Sequence, residues 1–171
     1  MSVTLEEPPT ATLDFDALYR GSRDDVYAYV VTLLRDRGAA EDVTAQAFER
    51  AFRKQHSYNA KRGGERGWLF GIARNAALDE LRRRRRTAPW PEADMEPLGF
   101  DDPAEDAVRR ATVSAALATL EPRDRELVAL KFHGGLSNAE LARVLGMSES
   151  NAGTRLHRAV TKLREACHVP A

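Results

Sequence analysis

Arginine supplies the most concentrated chemistry in this sequence, because five consecutive arginines run from Arg82 to Arg86. A row of guanidinium groups binds the phosphates of a nucleic-acid backbone, and the affinity of such contacts falls with salt. We expect these side chains to lack acidic partners, which favours contact with DNA. A solvated helix end whose cations offset the helix dipole is the alternative.

Catalytic and metal-binding patterns do not emerge from the sequence. The four histidines lack the spacing of metal ligands, and no glycine-rich loop has a phosphate-binding pattern. Ser137 and Ser148 each precede a predicted helix, which indicates that they cap it. A single cysteine, Cys167, excludes an internal disulfide and a cysteine-rich zinc site. We therefore expect no catalytic residue, no cofactor and no metal. The lack of clustered carboxylates counts against an enzyme such as a nuclease.

Charge is distributed unevenly along the 171 residues, although 26 basic and 26 acidic side chains cancel. Residues 61–90 carry a net charge of +6 and residues 108–171 one of +4, whereas residues 91–107 carry −7. This pattern is expected of a protein with two basic lobes that bind a polyanion. The acidic segment between them would be a connector that does not bind it.

The acidic segment is also rich in proline, so we predict an extended linker over 87–103. It separates an N-terminal lobe over 14–86 from a C-terminal lobe over 104–171, and residues 1–13 are predicted to be a disordered tail. No apolar run reaches the ~18–20 residues of a membrane span, and the acidic N-terminus lacks the apolar core of a secretory signal. These features indicate a cytoplasmic protein without membrane insertion.

Both lobes are predicted to be helical, because apolar residues recur at spacings of three and four and none of the stretches alternates as a half-buried strand does. In the N-terminal lobe we predict helices over 15–34, 39–55 and 65–86. Gly38 is predicted to break the first helix, and a glycine-rich loop to occupy 57–67. The predicted fold class is all-α, with two small helical domains, of which the N-terminal one has three to four helices.

The C-terminal lobe carries the strongest local pattern, a helix-turn-helix. Ser137 and Glu140 have the spacing of a capping box, in which the serine accepts a backbone N–H and the glutamate reaches back to the cap. The short helix that they begin ends at Gly146, and Ser148 caps a longer helix that runs to about Cys167. A short helix, a turn with glycine and a longer helix are typical of DNA-binding domains.

Several stretches resemble the extracytoplasmic-function sigma factors of bacterial RNA polymerase. Residues 67–86, beginning Gly-Trp-Leu-Phe-Gly-Ile-Ala-Arg-Asn, resemble the promoter-binding helix of that family, and residues 40–52 resemble its core-polymerase-binding helix. Three further stretches resemble the C-terminal domain of that family, namely residues 120–127, 135–148 and 155–159. The resemblance covers about 14–168, in the order of the family and with its linker between the halves.

The resemblance implies an initiation factor without enzymatic activity. It would bind core RNA polymerase at the β′ clamp helices and the β flap, recognise the −35 and −10 promoter elements, and melt the −10 region. The resemblance leaves open whether an anti-sigma factor is also a partner, because many relatives are held inactive by one. The alternative is a stand-alone helix-turn-helix transcriptional regulator, since residues 135–142 also resemble response-regulator output domains.

The same resemblance implies three sets of contact residues. The core-polymerase face comprises Glu41, Asp42, Gln46, Phe48, Glu49, Arg50 and Arg53. The −10 surface, whose loop captures a flipped base in the family, comprises Ser57, Tyr58, Asn59, Lys61, Arg62, Arg74, Asn75, Asp79, Arg82 and Arg83. The −35 surface comprises Ser148, Glu149, Ser150, Asn151, Thr154, Arg155 and Arg158.

Within these sets the residues have different expected roles. Phe48 is expected to support its helix from inside. Glu149 and Asn151 are candidate base readers, because a recognition helix reads the major groove chiefly from its N-terminal residues. The cations further along the helix, Arg155, Arg158 and Lys162, are expected at phosphates.

The sequence also departs from the pattern of the family. Ala45 and Gln46 stand where it usually has Gln and then Glu, and Phe52 replaces its usual tryptophan. Gly153 stands where a lysine is common. This glycine either permits a close backbone approach or only weakens its helix by ~1 kcal/mol.

Overall fold

A computed structural model describes residues 12–87 and 104–168 of the chain. Over these residues the fold is all-α, as predicted, and no strand is present. The helices are α1 (Phe15–Leu34), α2 (Arg37–Lys54), α3 (Glu65–Thr87), α4 (Ala104–Ala118), α5 (Pro122–Gly134), α6 (Asn138–Leu145) and α7 (Glu149–His168). The predicted tail, up to residue 11, and the predicted linker, from residue 88, lie outside the described residues.

The break between α1 and α2 differs from the prediction, because Gly38 lies inside the first turn of α2. The chain turns instead at Arg35, whose φ of 52° is left-handed and whose N–H donates to Val31 O at 2.8 Å. Asp36 then caps α2 by accepting from Ala39 N at 3.0 Å. The backbone hydrogen bond from Ala39 and the Arg84 guanidinium hold the pKa of Asp36 below its usual value, so the cap is charged at neutral pH.

The helix-turn-helix has the local structure that its sequence predicts. Ser137 Oγ accepts from Glu140 N at 3.2 Å, and the Glu140 carboxylate accepts from Ser137 N at 2.9 Å, which completes the capping box. Gly146 ends α6 with a φ of 65°, a left-handed conformation that glycine adopts without steric cost. Ser148 begins α7 by accepting from Asn151 N at 3.2 Å.

The two lobes are packed together on one continuous core. Buried side chains of α1, α2 and α3, among them Val30 and Phe70, belong to the same apolar cluster as Leu127, Leu130 and Leu141 of the C-terminal lobe. Five consecutive residues of α5, Glu126 to Leu130, are buried. A helix buried on more than one face must be covered on more than one side, and α5 packs on α1 and α3 as well as on α6 and α7.

None of the helices in the described parts of the chain combines the length and apolarity needed to cross a membrane. Over residues 12–87 and 104–168, no cluster of three or more His, Cys, Asp or Glu side chains is arranged to hold a metal ion.

Candidate nucleic-acid interface

The glycine-rich loop forms one wall of a cavity of about 480 Å³. The loop folds as two short 3-10 turns, Gln55–Ser57 and Ala60–Arg62, and Asn59 caps the second by accepting from Lys61 N at 2.9 Å. The cavity also reaches α3, α6 and the segment between the loop and α3. It is lined by Ser57, Tyr58, Asn59, Arg62, Gly63, Gly64, Gly67, Trp68, Gly71, Asn75, Glu140, Arg143 and Val144.

Aromatic and polar groups of this cavity are held in place by contacts within the N-terminal lobe. The Tyr58 hydroxyl donates to Gly63 O at 3.2 Å, and its ring lies edge-on to Trp68 with 5.6 Å between centroids. Gly63 has a φ of 149°, which side-chain-bearing residues rarely adopt. A ring, amide groups and a cation around an open space are what an unstacked base requires. Five of the predicted −10 residues line this cavity together, namely Ser57, Tyr58, Asn59, Arg62 and Asn75. Lys61 is exposed beside them.

The expectation that the arginine run lacks acidic partners is wrong. Arg82 pairs with Asp79 at 3.3 Å, and Glu80 pairs with both Arg83 at 2.8 Å and Arg84 at 2.9 Å. The reason is helical spacing, because residues three and four apart lie on the same face. The hydrogen bond from Arg83 has the largest effect on Glu80, and together with that from Arg84 it lowers the pKa of this carboxyl to about 2 against the opposing effect of burial.

A phosphate must therefore compete with carboxylates at Arg82 and Arg83. Arg85 and Arg86, in the last turn of α3, are exposed. Asp79 also pairs with Arg50 of α2 at 3.0 Å, so this carboxylate joins the predicted −10 surface to the predicted core-polymerase face.

Arg74 is directed into the boundary between the lobes. Its Nε donates to Glu126 Oε1 at 2.6 Å, and the Tyr29 hydroxyl donates to the same oxygen at 2.9 Å. Burial raises the pKa of Tyr29 well above its usual value, and the Glu126 carboxylate raises it further. In this arrangement the Arg74 guanidinium is paired with Glu126, and its role at phosphates stays a prediction.

The exposed face of α2 presents side chains of both charges. Glu41, Asp42, Gln46 and Glu49 are exposed. Phe48 is buried, as expected, and lies edge-on to Tyr19 with 4.9 Å between ring centroids. Arg53 is exposed and pairs with Glu49 along the helix.

In α7, the N-terminal turns face solvent while one arginine is engaged by its own lobe. Glu149, Ser150, Asn151, Thr154 and Arg158 are exposed, as is the capping residue Ser148. The Arg155 guanidinium instead donates to Asp124 at 2.8 Å through Nε, and its side chain is 26% exposed. A phosphate contact by Arg155 would have to compete with this carboxylate, whereas Arg158 has no such neighbour among the described residues.

Sequence reasoning missed the polar groups that join the lobes. Arg66 donates to the carbonyl oxygens of His133 and Gly134 at the end of α5, and also to Asp25 of α1. Glu126 and Glu140 also make polar contacts across the boundary. One signal was available, because Glu126 is the one acidic side chain in the apolar run that follows Arg125.

Comparisons with known proteins match both lobes. The family model of Sigma-70 region 2 matches residues 18–87, and that of Sigma-70 region 4 matches residues 110–163.

Among curated proteins, the chain is similar to the ECF RNA polymerase sigma factor SigE of Mycolicibacterium smegmatis. The two are 33% identical, over 93% of this chain and 68% of SigE. The chain is also 32% identical to the ECF RNA polymerase sigma factor BldN of Streptomyces coelicolor, over 87% of this chain, and it spans 58% of the length of BldN.

Among solved structures, the fold is similar to that of the sigma factor RpoE in its co-crystal with the anti-sigma factor NepR from Bartonella quintana. The TM-score is 0.71 at 23% identity, and the likeness covers 92% of this chain and 99% of RpoE.

Proposed function

The chain belongs to the ECF sigma factors of RNA polymerase, proteins that direct promoter-specific transcription initiation, and from this membership we propose how its surfaces divide that work. The exposed face of α2 binds core polymerase at the β′ clamp helices, and the C-terminal lobe meets the β flap. The first turns of α7 read the −35 element, and the loop cavity captures an unstacked base of the −10 element.

One observation carries the proposal and separates it from the regulator alternative: region 2 and region 4 are matched in one chain, in that order. A stand-alone regulator would need only the helix-turn-helix. The geometry agrees, because α7 presents Glu149, Ser150 and Asn151 to solvent beyond its cap, where recognition helices contact bases. The cavity adds the stacking ring and the amide groups that a single strand requires.

We further propose that the chain has no catalytic activity of its own and works in the cytoplasm, where the polymerase is. The co-crystallised Bartonella quintana factor has the anti-sigma factor NepR as its partner. A partner of that kind is proposed here as well.

In vitro transcription with purified core polymerase tests the proposal. The promoter is selected from a randomised library by the wild-type factor and core enzyme. We expect initiation from core polymerase plus this chain alone. Transcripts that appear only when another sigma factor is added would identify a regulator instead.

A further inference from the structure

Helix α6 places a polar side chain against the recognition helix α7, at a position of α7 that has no side chain of its own. The amide nitrogen Nδ2 of Asn138 lies 3.2 Å from the point where a Cβ on Gly153 would stand. Asn138 is the first residue of α6, and it is exposed. A Cβ at residue 153 would be closer to this amide than ordinary van der Waals contact allows, so the glycine makes room for it.

The Asn138 amide is available to a ligand, because its own chain does not use it. Among residues 12–87 and 104–168, no hydrogen bond engages the Asn138 side chain. The hydroxyls of Ser137 and Ser148, by contrast, are both engaged as helix caps. An amide carries two N–H donors and a carbonyl acceptor. Both donors of Asn138 are therefore free to bind an oxygen outside the protein.

The location of this amide on α7 determines which part of DNA it can reach. Residues four or seven positions apart lie on the same side of a helix. Gly153 therefore shares one flank of α7 with Glu149, whereas Asn151 and Arg158 share the opposite flank. The flank of Gly153 has no lysine or arginine in the first three turns of α7. Asn138 adds a hydrogen-bond donor to this flank from the neighbouring helix.

A recognition helix in the major groove has a phosphate backbone on each side. The groove is about 12 Å wide, and a helix with its side chains is about 10–12 Å across. The central face of the helix then meets the bases, and each flank faces the phosphates of one strand. Arg158 can serve the strand on its own flank. On the opposite flank Glu149 is an acceptor only and cannot bind a phosphate, so the Asn138 amide is the donor beside Gly153.

We propose that Asn138 is a DNA-contacting residue of the −35 surface, whose amide donates to a backbone phosphate on the flank of α7 that Gly153 leaves open. The inference rests on the proposed function, and it extends the −35 surface from α7 to both helices of the helix-turn-helix. It also gives Gly153 a role, because the glycine allows the amide to lie beside the recognition helix. Such a contact positions α7 in the groove without reading a base.

The promoter affinity of the holoenzyme, assembled from core polymerase and the full chain, tests this contact. Asn138→Ala should weaken binding about three- to tenfold for every −35 sequence alike, because a hydrogen bond to a charged oxygen is lost. The dependence of affinity on salt should stay as in the wild type, since a neutral amide displaces no counterion. Asn138→Asp, which presents a negative charge to the phosphate, should weaken binding by about tenfold or more. Wild-type affinity in both variants, or a changed preference at one base, would overturn the proposal.

A matched charge and a stability measurement separate DNA contact from folding. Ala107→Asp adds the same charge in the first turn of α4, where residue 107 is exposed, and should bind as the wild type does. Thermal denaturation of Asn138→Asp should show no loss of stability, because an acidic residue is favourable in the first turn of a helix. Stability that falls in step with affinity would assign Asn138 a structural role and overturn the proposal.

Promoters with single neutral phosphates locate the contact. One methylphosphonate replaces one phosphate of the −35 element at a time, on either strand. At one of these positions we expect the substitution to weaken binding by the wild type and to have little effect on Asn138→Ala. Additive losses at every phosphate would overturn the proposal. Failure of the wild-type holoenzyme to bind any selected promoter would instead refute the proposed function.

Gly153→Ala tests how the amide is placed. The added Cβ displaces Nδ2, so we expect affinity to fall about two- to threefold, with no further loss when Asn138→Ala is also present. Gly21→Ala is the control and should bind as the wild type does, since nothing lies within 4 Å of its Cβ position. The same loss from Gly153→Ala with and without the Asn138 amide would show that the glycine acts independently of it and would contradict the proposal.

Discussion

At the scale of single residues, the carboxylates decide which arginines of α3 remain available to DNA. Glu80 engages Arg83 and Arg84 through one helical turn, and Glu126 engages Arg74 from the other lobe. Both pairings offset part of the positive charge that the sequence places on α3. The exposed Arg85 and Arg86 are left to make the predicted phosphate contacts.

Glu80→Gln should make stability less sensitive to acid. The pKa of Glu80 is about 2 in the folded chain and 4.5 ordinarily, so its stabilising effect is present above pH 4.5 and is lost as pH falls towards 2. At pH 7 we expect a loss of up to about 1 kcal/mol in the free energy of unfolding, since exposed pairs are screened by solvent. Urea denaturation should show this difference shrinking at pH 3, and a difference that stays constant with pH would contradict the assignment.

Gly153→Ala should stabilise the chain by about 0.5–1 kcal/mol, because alanine favours helix over glycine. The added Cβ would lie 3.2 Å from Asn138 Nδ2, and this exposed amide end can shift to make room. Gly21→Ala is the matched control, since nothing lies within 4 Å of its Cβ position in α1. Thermal denaturation compares the two variants. Destabilisation by Gly153→Ala alone would show that α6 and α7 need the glycine for their close approach.

At the scale of helices, the exposed face of α2 can be altered without touching the core, because Val43, Ala47 and Phe48 point inward. Asp42→Arg should weaken assembly with core polymerase about tenfold or more and leave helicity unchanged. Asp24→Arg makes the same charge change on α1, where Asp24 is exposed, and should leave assembly intact. Affinity for immobilised core polymerase, measured together with circular dichroism, checks this. Equal binding by all three proteins would remove α2 from the interface.

On α7, the exposed Asn151 and Arg158 should make different contributions to DNA binding. Asn151→Ala should change preference at a −35 base by about 1–3 kcal/mol if the amide makes a bidentate contact. Arg158→Ala should weaken binding to every sequence alike. It should also reduce the slope of the logarithm of the binding constant against the logarithm of salt concentration by about one. Binding across a library of −35 sequences at several salt concentrations separates these effects. Identical profiles for both variants would refute the division between base reading and phosphate contact.

At the scale of the whole molecule, local patterns predicted the helices and their order but not how the lobes meet. The capping box at Ser137 and the spacing of apolar residues are local, so they are readable in a single sequence. The contact of Tyr29 with Glu126 joins residues 97 positions apart, and nothing in the spacing of either helix encodes it. The acidic segment predicts two independent lobes. Their shared core is reflected instead in the five consecutive buried residues of α5, Glu126 to Leu130.

A shared core should make the two lobes unfold together. We expect one calorimetric transition for the wild-type chain, because the apolar cluster continues from α1 through α5 to α6. Glu126→Arg places a cation opposite Arg74 and leaves Tyr29 without its acceptor. The expected cost is about 3 kcal/mol, the lower end of the range for a buried pair, because Glu126 is buried and Arg74 only partly so. We expect that variant to unfold in two transitions, one for each lobe, while Glu165→Arg, the same change on the exposed side of α7, keeps one. Two transitions in the wild type, or one unshifted transition in Glu126→Arg, would mean that the lobes fold independently and that Glu126 does not hold them together.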